Sequence, residues 1–600
     1  MKKFIVGFCL SHSLFIVSSV AADVAAPVPN QDAQEQIRQQ QRLQQLRQQQ
    51  EIQTDAREEG TSLKQAVPLA SDRIPDNETP CFQIDKIDLN GDGADQFQFA
   101  LDKLNAEVFS IAAAQSSANS KDGLCLGVNG INALMARMQN TIIAKGYITT
   151  RVLAAPQDLK SGHLLLTVVN GRVNRVRFTA DSDPRASSWN ALPLHPGVTL
   201  NLRDIEQALE NLKRLPSADA DIQIEPAAPD QVAAAPTQPG LSDLLISYHR
   251  VSSPVRFSWS LDDSGSSATG KYQASATLSG DNLFKLNDLF YVSFNHDVGG
   301  EDTGAHGTSA HTWHYSLAYG YWLLSTTTSS NDYYQTVAGA SQNYTYSGKS
   351  QNTEIMLSRL LFRNNVNKTV LSARAMFRSS SNFIDDTEVE VQRRRVAAWE
   401  LGFKQTWYHA NTVLDYQLNY RHGTGARGAL SAPEENFGNG TSRMQMLTAD
   451  LQLSMPFMLK APWGQQALQY LVNFRGQNNY TPLTPQDRFS IGSRYSVRGF
   501  DGAQSLLSDS GWFIQNNLIV PLGQSGQSAY LGLDYGAVSG QSAALLIGKK
   551  LAGMVLGVRG EVGTAVGRFN YDVFVGQAIY KPEGYITSPV TAGFNLNWSY

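Results

Sequence analysis

The sequence predicts an all-β transmembrane barrel of about 16 antiparallel strands, preceded by two small α/β units and a polar N-terminal helix. Three observations predict it. Segments of about ten residues alternate apolar and polar side chains over residues 254–600, the length that crosses a bilayer at a tilt. Only 17% of the chain is charged although 42% is hydrophobic, with a mean hydropathy of −0.27, whereas soluble proteins carry about 25% charge. Strand-and-helix patterns also recur twice between residues 80 and 250.

Composition excludes several classes. After the N-terminus no stretch approaches the roughly 18 apolar residues of a spanning helix. Forty-nine basic against 53 acidic residues leave no surplus to neutralise phosphates, so no nucleic-acid partner is expected. Three Cys are too few for a disulfide scaffold or a multi-zinc protein.

Lys2 and Lys3 precede an apolar stretch, Phe4 to Val20, and Val20-Ala21-Ala22 offers small residues for cleavage. Residues 1–22 are expected to be a secretory signal peptide, the other reading being a buried N-terminal helix. Its removal takes Cys9 away. The remaining Cys81 and Cys125 most simply form one disulfide, with a free buried pair as the alternative.

Gln31 to Gln53 is about half Gln, carries Arg38, Arg42 and Arg47, and contains neither Pro nor Gly. These residues favour helix. A helix polar almost all round must sit in water, pair weakly or occupy a wet cavity, and a loose spacer is the competing reading. Residues 56–79, with Gly60, Pro68 and Pro75, read as an extended linker.

The first α/β unit is expected over 80–171. Phe82 to Leu89 reads as a strand and Phe97 to Ala114 as a helix. Ile131, Leu134, Met135, Met138 and Ile142 form a helical stripe ending at Gly146, and Val152–Leu153 and Leu164–Val169 read as strands. The second unit is expected over 172–250. Val173 to Phe178 begins it, Asn201 caps a helix whose buried face is Ile205, Ala208, Leu209 and Leu212, and Asp221–Ile224 and Leu244–Tyr248 close it. A small sheet with an exposed edge can accept an extended peptide, although both units also read as plain spacers.

Residues 251–600 form the expected barrel. Val255, Phe257, Trp259 and Leu261 alternate with Arg256, Ser258, Ser260 and Asp262, and Tyr272, Ala274, Ala276 and Leu278 alternate with Gln273, Ser275, Thr277 and Ser279. Leu371, Ala373, Ala375 and Phe377 repeat the pattern, with Met376 out of phase. A closed barrel satisfies every backbone polar group in lipid, and about 16 strands leave an aqueous channel. Eleven such segments precede the long connection 481–510 and five follow it. The chain ends Phe594-Asn-Leu596-Asn-Trp598-Ser-Tyr600, with one face aromatic and apolar. This strand resembles the insertion signal of bacterial outer-membrane barrels, which implies the barrel-assembly machinery and outer-membrane lipid as partners.

The long connection contains Val497-Arg498-Gly499-Phe500, and Gly532-Leu-Asp534-Tyr-Gly536 follows. These resemble the VRGF loop-6 and GxDxG barrel-wall motifs of the Omp85 superfamily. The resemblance implies that the α/β units are POTRA domains, that loop 6 enters the lumen, and that Arg498 pairs with Asp534. Two POTRA units, the polar N-terminal helix, the Cys81/Cys125 pair and the segment Lys145 to Leu153 with Gln157-Asp158-Leu159 resemble the two-partner secretion (TpsB) transporters, the haemolysin-secretion, filamentous-haemagglutinin and contact-dependent inhibition type. Residues 23–55 then become a plug helix, with Arg38, Arg42 and Arg47 facing the lumen. The implied function is export of an unfolded TpsA-type exoprotein (toxin, adhesin or haemolysin) by a monomer without cofactor or nucleotide hydrolysis. An assembly factor of the same superfamily is the alternative, and a passive porin is a weaker one.

An enzyme is not expected. Neither H-E-x-x-H nor G-x-S-x-G occurs, and His311 and His314 on an alternating strand face opposite sides. Gly265 to Lys271 mimics a Walker A spacing, but Tyr272 replaces its Ser/Thr and the segment reads as a hairpin turn.

Overall fold

The computed structural model describes residues 37, 74–75, 78–115, 124–227, 239–300, 304–462, 464–523 and 525–600. The expected signal peptide, Arg38, Arg42, Arg47 and the rest of the expected plug apart from Ile37, and most of the expected linker lie outside the described residues. No described helix is long and apolar enough to cross a membrane.

The first unit departs from expectation at Asp85. Strand β1 (Phe82–Ile84) and strand β2 (Lys86–Gly91) replace the single predicted strand. Asp85 and Lys86 are both exposed between the buried Ile84 and Ile87, which breaks the two-residue period, so the chain rotates onto a second sheet. The amides of Asp85 and Lys86 both donate to the Gly162 carbonyl at the break. β1 pairs with β3 (Leu124–Leu126), and the Cys81–Cys125 disulfide ties this ribbon. β2 runs parallel to β5 (His163–Val169), which also pairs with β4 (Arg151–Leu153). The helices Gln98–Gln115 and Val128–Ala144 pack on this sheet, burying Leu134, Met138 and Ile142 from the predicted stripe, with Ile131 and Met135 at its margin.

The second unit holds β6 (Arg172–Phe178), β7 (Ala218–Pro226) and β8 (Leu241–Arg250) in the order β6-β8-β7. The Asn201 carboxamide accepts from the Arg203 amide and caps the helix Leu202–Lys213. Ile205, Ala208, Leu209 and Leu212 are buried on the sheet as predicted, but Glu206, Gln207, Glu210 and Asn211 are buried too. Their cover is the barrel.

The barrel is closed and antiparallel. Eleven strands precede the long connection: β9 (Val255–Asp262), β10 (Gln273–Asp281), β11 (Leu289–Asp297), β12 (His306–Tyr319), β13 (Trp322–Ala338), β14 (Asn343–Arg363), β15 (Asn367–Ile384), β17 (Arg394–His409), β18 (Thr412–Thr424), β19 (Gln445–Ala461) and β20 (Gly464–Asn479), where β16 (Thr387–Glu388) is a two-residue ribbon in a loop. Inside the connection lie β21 (Phe489–Ile491) and β22 (Leu506–Ser508). Five strands follow it: β23 (Ser510–Pro521), β24 (Gln527–Ser539), β25 (Lys550–Thr564), β26 (Gly567–Tyr580) and β27 (Thr591–Ser599). β27 closes on β9 through five residue pairs, from Asn595↔Asp262 to Ser599↔Ser258.

The alternation sorts as lipid outside and water inside. Phe257, Trp259, Tyr272 and Leu278 are exposed on the outer surface, whereas Ser260, Gln273, Ser275 and Thr277 are buried in the wall's inner face. Phe594, Leu596 and Trp598 lie on the outer side with Trp259 and Leu261, their register partners being Leu261 for Leu596 and Trp259 for Trp598. Met376 turns inward because an apolar pad of Val396, Ala398, Met444, Met446 and the loop residue Leu483 waits there. His311 is exposed outward, while His314 turns in and stacks on Tyr291. Gly265 to Lys271 joins β9 to β10, with the Gly265 amide donating to the Lys271 carbonyl. Short turns at 282–288, 320–321 and 364–366 mark the end of the barrel that meets the second unit.

Candidate functional site

The long connection folds back into the barrel. Its tip is tightened by Ser496, whose hydroxyl accepts from the amides of Gly492 and Ser493. Arg498 is thereby aimed at β24. Its Nε donates to Asp534 Oδ2 at 2.7 Å, its Nη2 to Oδ1 at 2.7 Å, and its backbone N–H to Oδ2 at 3.0 Å. The Asp534 side chain is fully buried and that of Arg498 nearly so. A bidentate, charge-assisted pair suits such a site, since either ion alone would keep its desolvation cost without compensation.

Val497 and Phe500 bury beside this pair against Phe489, Ile491, Leu506, Phe513, Val538, Leu551 and Tyr585. Gly499 has φ +92°, and a Cβ there would sit 2.4 Å from the Gln577 carbonyl. The wall glycines make room in turn. A Cβ on Gly532 would lie 2.7 Å from Arg498 Nη2, and one on Gly536 would lie 2.8 Å from the Val497 side chain. All seven residues of the two motifs are therefore brought to one place, with both glycines of the wall motif beneath the loop.

Several contributors escaped the sequence reading. Gly553 on β25 and Gly576 on β26 also lie under the loop, and a Cβ on Gly553 would meet the Arg498 carbonyl at 1.8 Å. The Gln515 side chain donates to the Ser496 carbonyl at 2.8 Å. Arg494 pairs with Asp263 just beyond β9 at 2.6 Å and donates to the Phe594 carbonyl of β27. Beyond the tip, Asp501 accepts from the Ser588 amide and hydroxyl. Burial alone would raise its carboxyl, but these bonds hold it below the usual range. Ile37, a helical residue of the predicted plug, is buried against Leu507 of β22.

A second polar cluster joins the small unit to the barrel. Glu210 accepts from Lys368 at 2.7 Å and from Arg363, and Arg363 also donates to Gln207 at 3.0 Å. Arg214 donates to the Asn287 carbonyl and the Ser316 hydroxyl, Asn211 to the Gly320 carbonyl, and Tyr321 to Asp204. Burial would raise the Glu210 carboxyl, yet Lys368 and Arg363 hold it well below the usual carboxylate range. Asp204, in the first turn of the helix Leu202–Lys213, thus serves this junction.

Residues 240–560 match the family described as haemolysin secretion/activation protein ShlB/FhaC/HecB, residues 83–171 an ShlB-type POTRA domain, and residues 172–226 a POTRA domain. The chain is 35% identical over 590 residues to outer membrane transporter CdiB-2 of Burkholderia pseudomallei (strain 1026b), covering 97% of each. The chain belongs to the ShlB/FhaC/HecB family. It is 25% identical to hemolysin transporter protein ShlB of Serratia marcescens, covering 69% of this chain and 71% of the relative. The solved structure of CdiB from Acinetobacter baumannii superposes with a TM-score of 0.78 at 28% identity, covering 97% of this chain and all of that one. As a ShlB/FhaC/HecB member the protein is an outer-membrane two-partner secretion transporter with POTRA domains in the periplasm, and not an enzyme.

Proposed function

We propose that this transporter takes an unfolded TpsA-type exoprotein (toxin, adhesin or haemolysin) from the periplasm and passes it through the barrel in extended form, without nucleotide hydrolysis. The observation that carries this reading is the Arg498–Asp534 pair, which pins loop 6 inside a barrel otherwise wide enough for an extended chain. A porin needs no such lock. The plug over residues 23–55, followed by the linker 56–79, is a second obstruction. The contact between Ile37 and Leu507 supports a helix lying against loop 6. Folding of the partner outside supplies the drive, and the transporter works as a monomer in outer-membrane lipid after insertion by the barrel-assembly machinery.

Capture takes place on β7. No described strand pairs with its far side, and it is nine residues long against three for β4. Ala218, Ala220 and Ile222 are buried along it, whereas Asp219, Asp221 and Gln223 face water. Open backbone on β5 and β6 is partly occupied. The Gln157 side chain bonds both polar groups of Leu165 on β5, and Gly197 and Val198 bond Val173 on β6. The Ser217 amide donates to Asp281 at the barrel, so a strand added to β7 runs toward the barrel.

Deletion of 31–53 should raise single-channel conductance in planar bilayers; unchanged conductance removes the plug from the mechanism. A photo-crosslinker at Gln223 should capture the partner in cells. Capture only from β2 would move the recognition site.

A further inference from the structure

The second POTRA unit carries a tryptophan that has no place in a water-facing domain. Trp189 is 63% exposed, yet its neighbours are fixed. Asn190 is fully buried and donates to the carbonyls of Leu286 and Ala318, its own carbonyl accepts from the Gly320 amide, and Asn287 donates to the Ser187 carbonyl. The indole is therefore held out on a rigid turn and is not the tip of a loose loop.

What it is held against is the lipid-facing surface. The Trp189 ring packs edge-on to Tyr319 with centroids 5.6 Å apart. Tyr319 ends β12 on the same outward row as His311 and Trp313, and its register partner on β13 is Trp322. Arg359 lies 4.9 Å over the Trp322 ring. In the neighbouring turn Leu283, Phe284 and Lys285 are exposed together, with Phe284 packed on Tyr315. Aromatic rings beside cations on the outer wall, at the POTRA end, are the composition of a membrane–water boundary. There an indole buries its ring among acyl chains and keeps its N–H for a headgroup, and Lys and Arg meet phosphates.

We propose that Trp189 inserts into the headgroup boundary of the periplasmic leaflet, so that the second POTRA unit is itself a membrane-contacting domain that binds phospholipid beside the barrel. The occupant is lipid because the surface is continuous with the outward row of the wall, and the cations Lys285 and Arg359 suit its phosphates. The contact fixes the level of the POTRA unit against the bilayer independently of the polar junction at Glu210.

The test places an environment-sensitive fluorophore on Trp189→Cys, on Tyr319→Cys and on Asp221→Cys in the mature protein, where Cys81 and Cys125 are occupied by their disulfide. Each is reconstituted in phosphatidylethanolamine–phosphatidylglycerol vesicles with or without a shallow spin-labelled lipid. Position 189 should be quenched severalfold more than position 221 and nearly as much as position 319, and should be shielded from aqueous iodide. Ser188→Cys, on the same turn, gives a second reading. Quenching at 188 and 189 no greater than at 221 overturns the proposal, as does loss of iodide access only when a partner protein is added.

Discussion

Arg494 and Asp263 meet across the seam of the barrel. The guanidinium pairs with Asp263 Oδ1 at 2.6 Å beyond the first strand and donates to the Phe594 carbonyl on the last at 3.2 Å, while the Phe594 amide donates to the same Asp263 oxygen at 2.9 Å. The seam has five residue pairs, where β9–β10 and β11–β12 each have eight. Loop 6 thus reinforces the shortest pairing of the wall. Arg494→Ala leaves Asp263 buried without its cation, a loss of about 3–5 kcal/mol in comparable buried pairs. The variant barrel is expected to lose its folded gel mobility at a lower temperature, and a disulfide between Leu261→Cys and Leu596→Cys, which lie directly across the seam, should restore it. Equal heat resistance of variant and parent would show that strand pairing alone holds the wall.

The Arg498–Asp534 pair makes a different demand. Arg498→Glu sets two carboxylates together in the buried site, so loop 6 should leave its seat while the strands still close. Secretion of the partner is expected to vanish, with normal barrel levels in the outer membrane. Exchanging the residues, Arg498→Asp with Asp534→Arg, should recover part of the export. Recovery stays incomplete because Asp534 also accepts the Arg498 backbone N–H, which an arginine cannot do. No recovery at all would mean that the two side chains act separately.

The glycines beneath the loop give a steric counterpart. Gly553→Val puts a branched side chain where even a Cβ lies 1.8 Å from the Arg498 carbonyl, whereas Gly563 has nothing within 4 Å. Gly553→Val should raise channel conductance and weaken export, and Gly563→Val should do neither. Equal conductance in both would indicate that the loop can shift along the wall without opening it.

The wall was legible because bilayer crossing imposes a local rule. Alternation shows along β9, β10 and β15, and even its exception at Met376 marks the pad that receives Leu483. The two motifs pointed to the tip of loop 6. The rest of the site carries no local signal: Arg494 stands four residues from Arg498, but its partner is 231 residues away in sequence. Gly553 and Gly576 look like ordinary small strand residues until the loop lies on them. The helix Leu202–Lys213 did carry a hint. Glu206, Gln207, Glu210 and Asn211 occupy its second face as a polar run, which reads as solvated unless another surface is known to cover it. The split of Phe82 to Leu89 was also present in the sequence, as two successive polar residues at Asp85 and Lys86.

That covered face gives the last prediction. Glu210 is pulled below the ordinary carboxylate range by Lys368 and Arg363, so in the folded protein it stays ionised at pH values where a free Glu protonates, near pH 4.3. A group lowered on folding stabilises the docked state fully above its free value, and that contribution fades as pH falls through the free value toward the folded one. The junction should therefore hold at neutral pH and loosen in acid below about pH 4. Hydrogen exchange of the amides in Leu202–Lys213, read in nanodiscs from pH 7 downward after correction for the intrinsic rate, should show protection lost in that window. Glu210→Gln keeps the shape but removes the charge, so its protection should be lower at pH 7 and should change little with acid. Arg363 and Lys368 would then lose the Glu210 carboxylate that both meet, and Glu210→Ala should be worse still. If Glu210→Gln retains the parent's protection at pH 7, the hydrogen bonds of Asn211 and Arg214 suffice to dock the unit, and the charge cluster is not what holds the POTRA domain on the barrel.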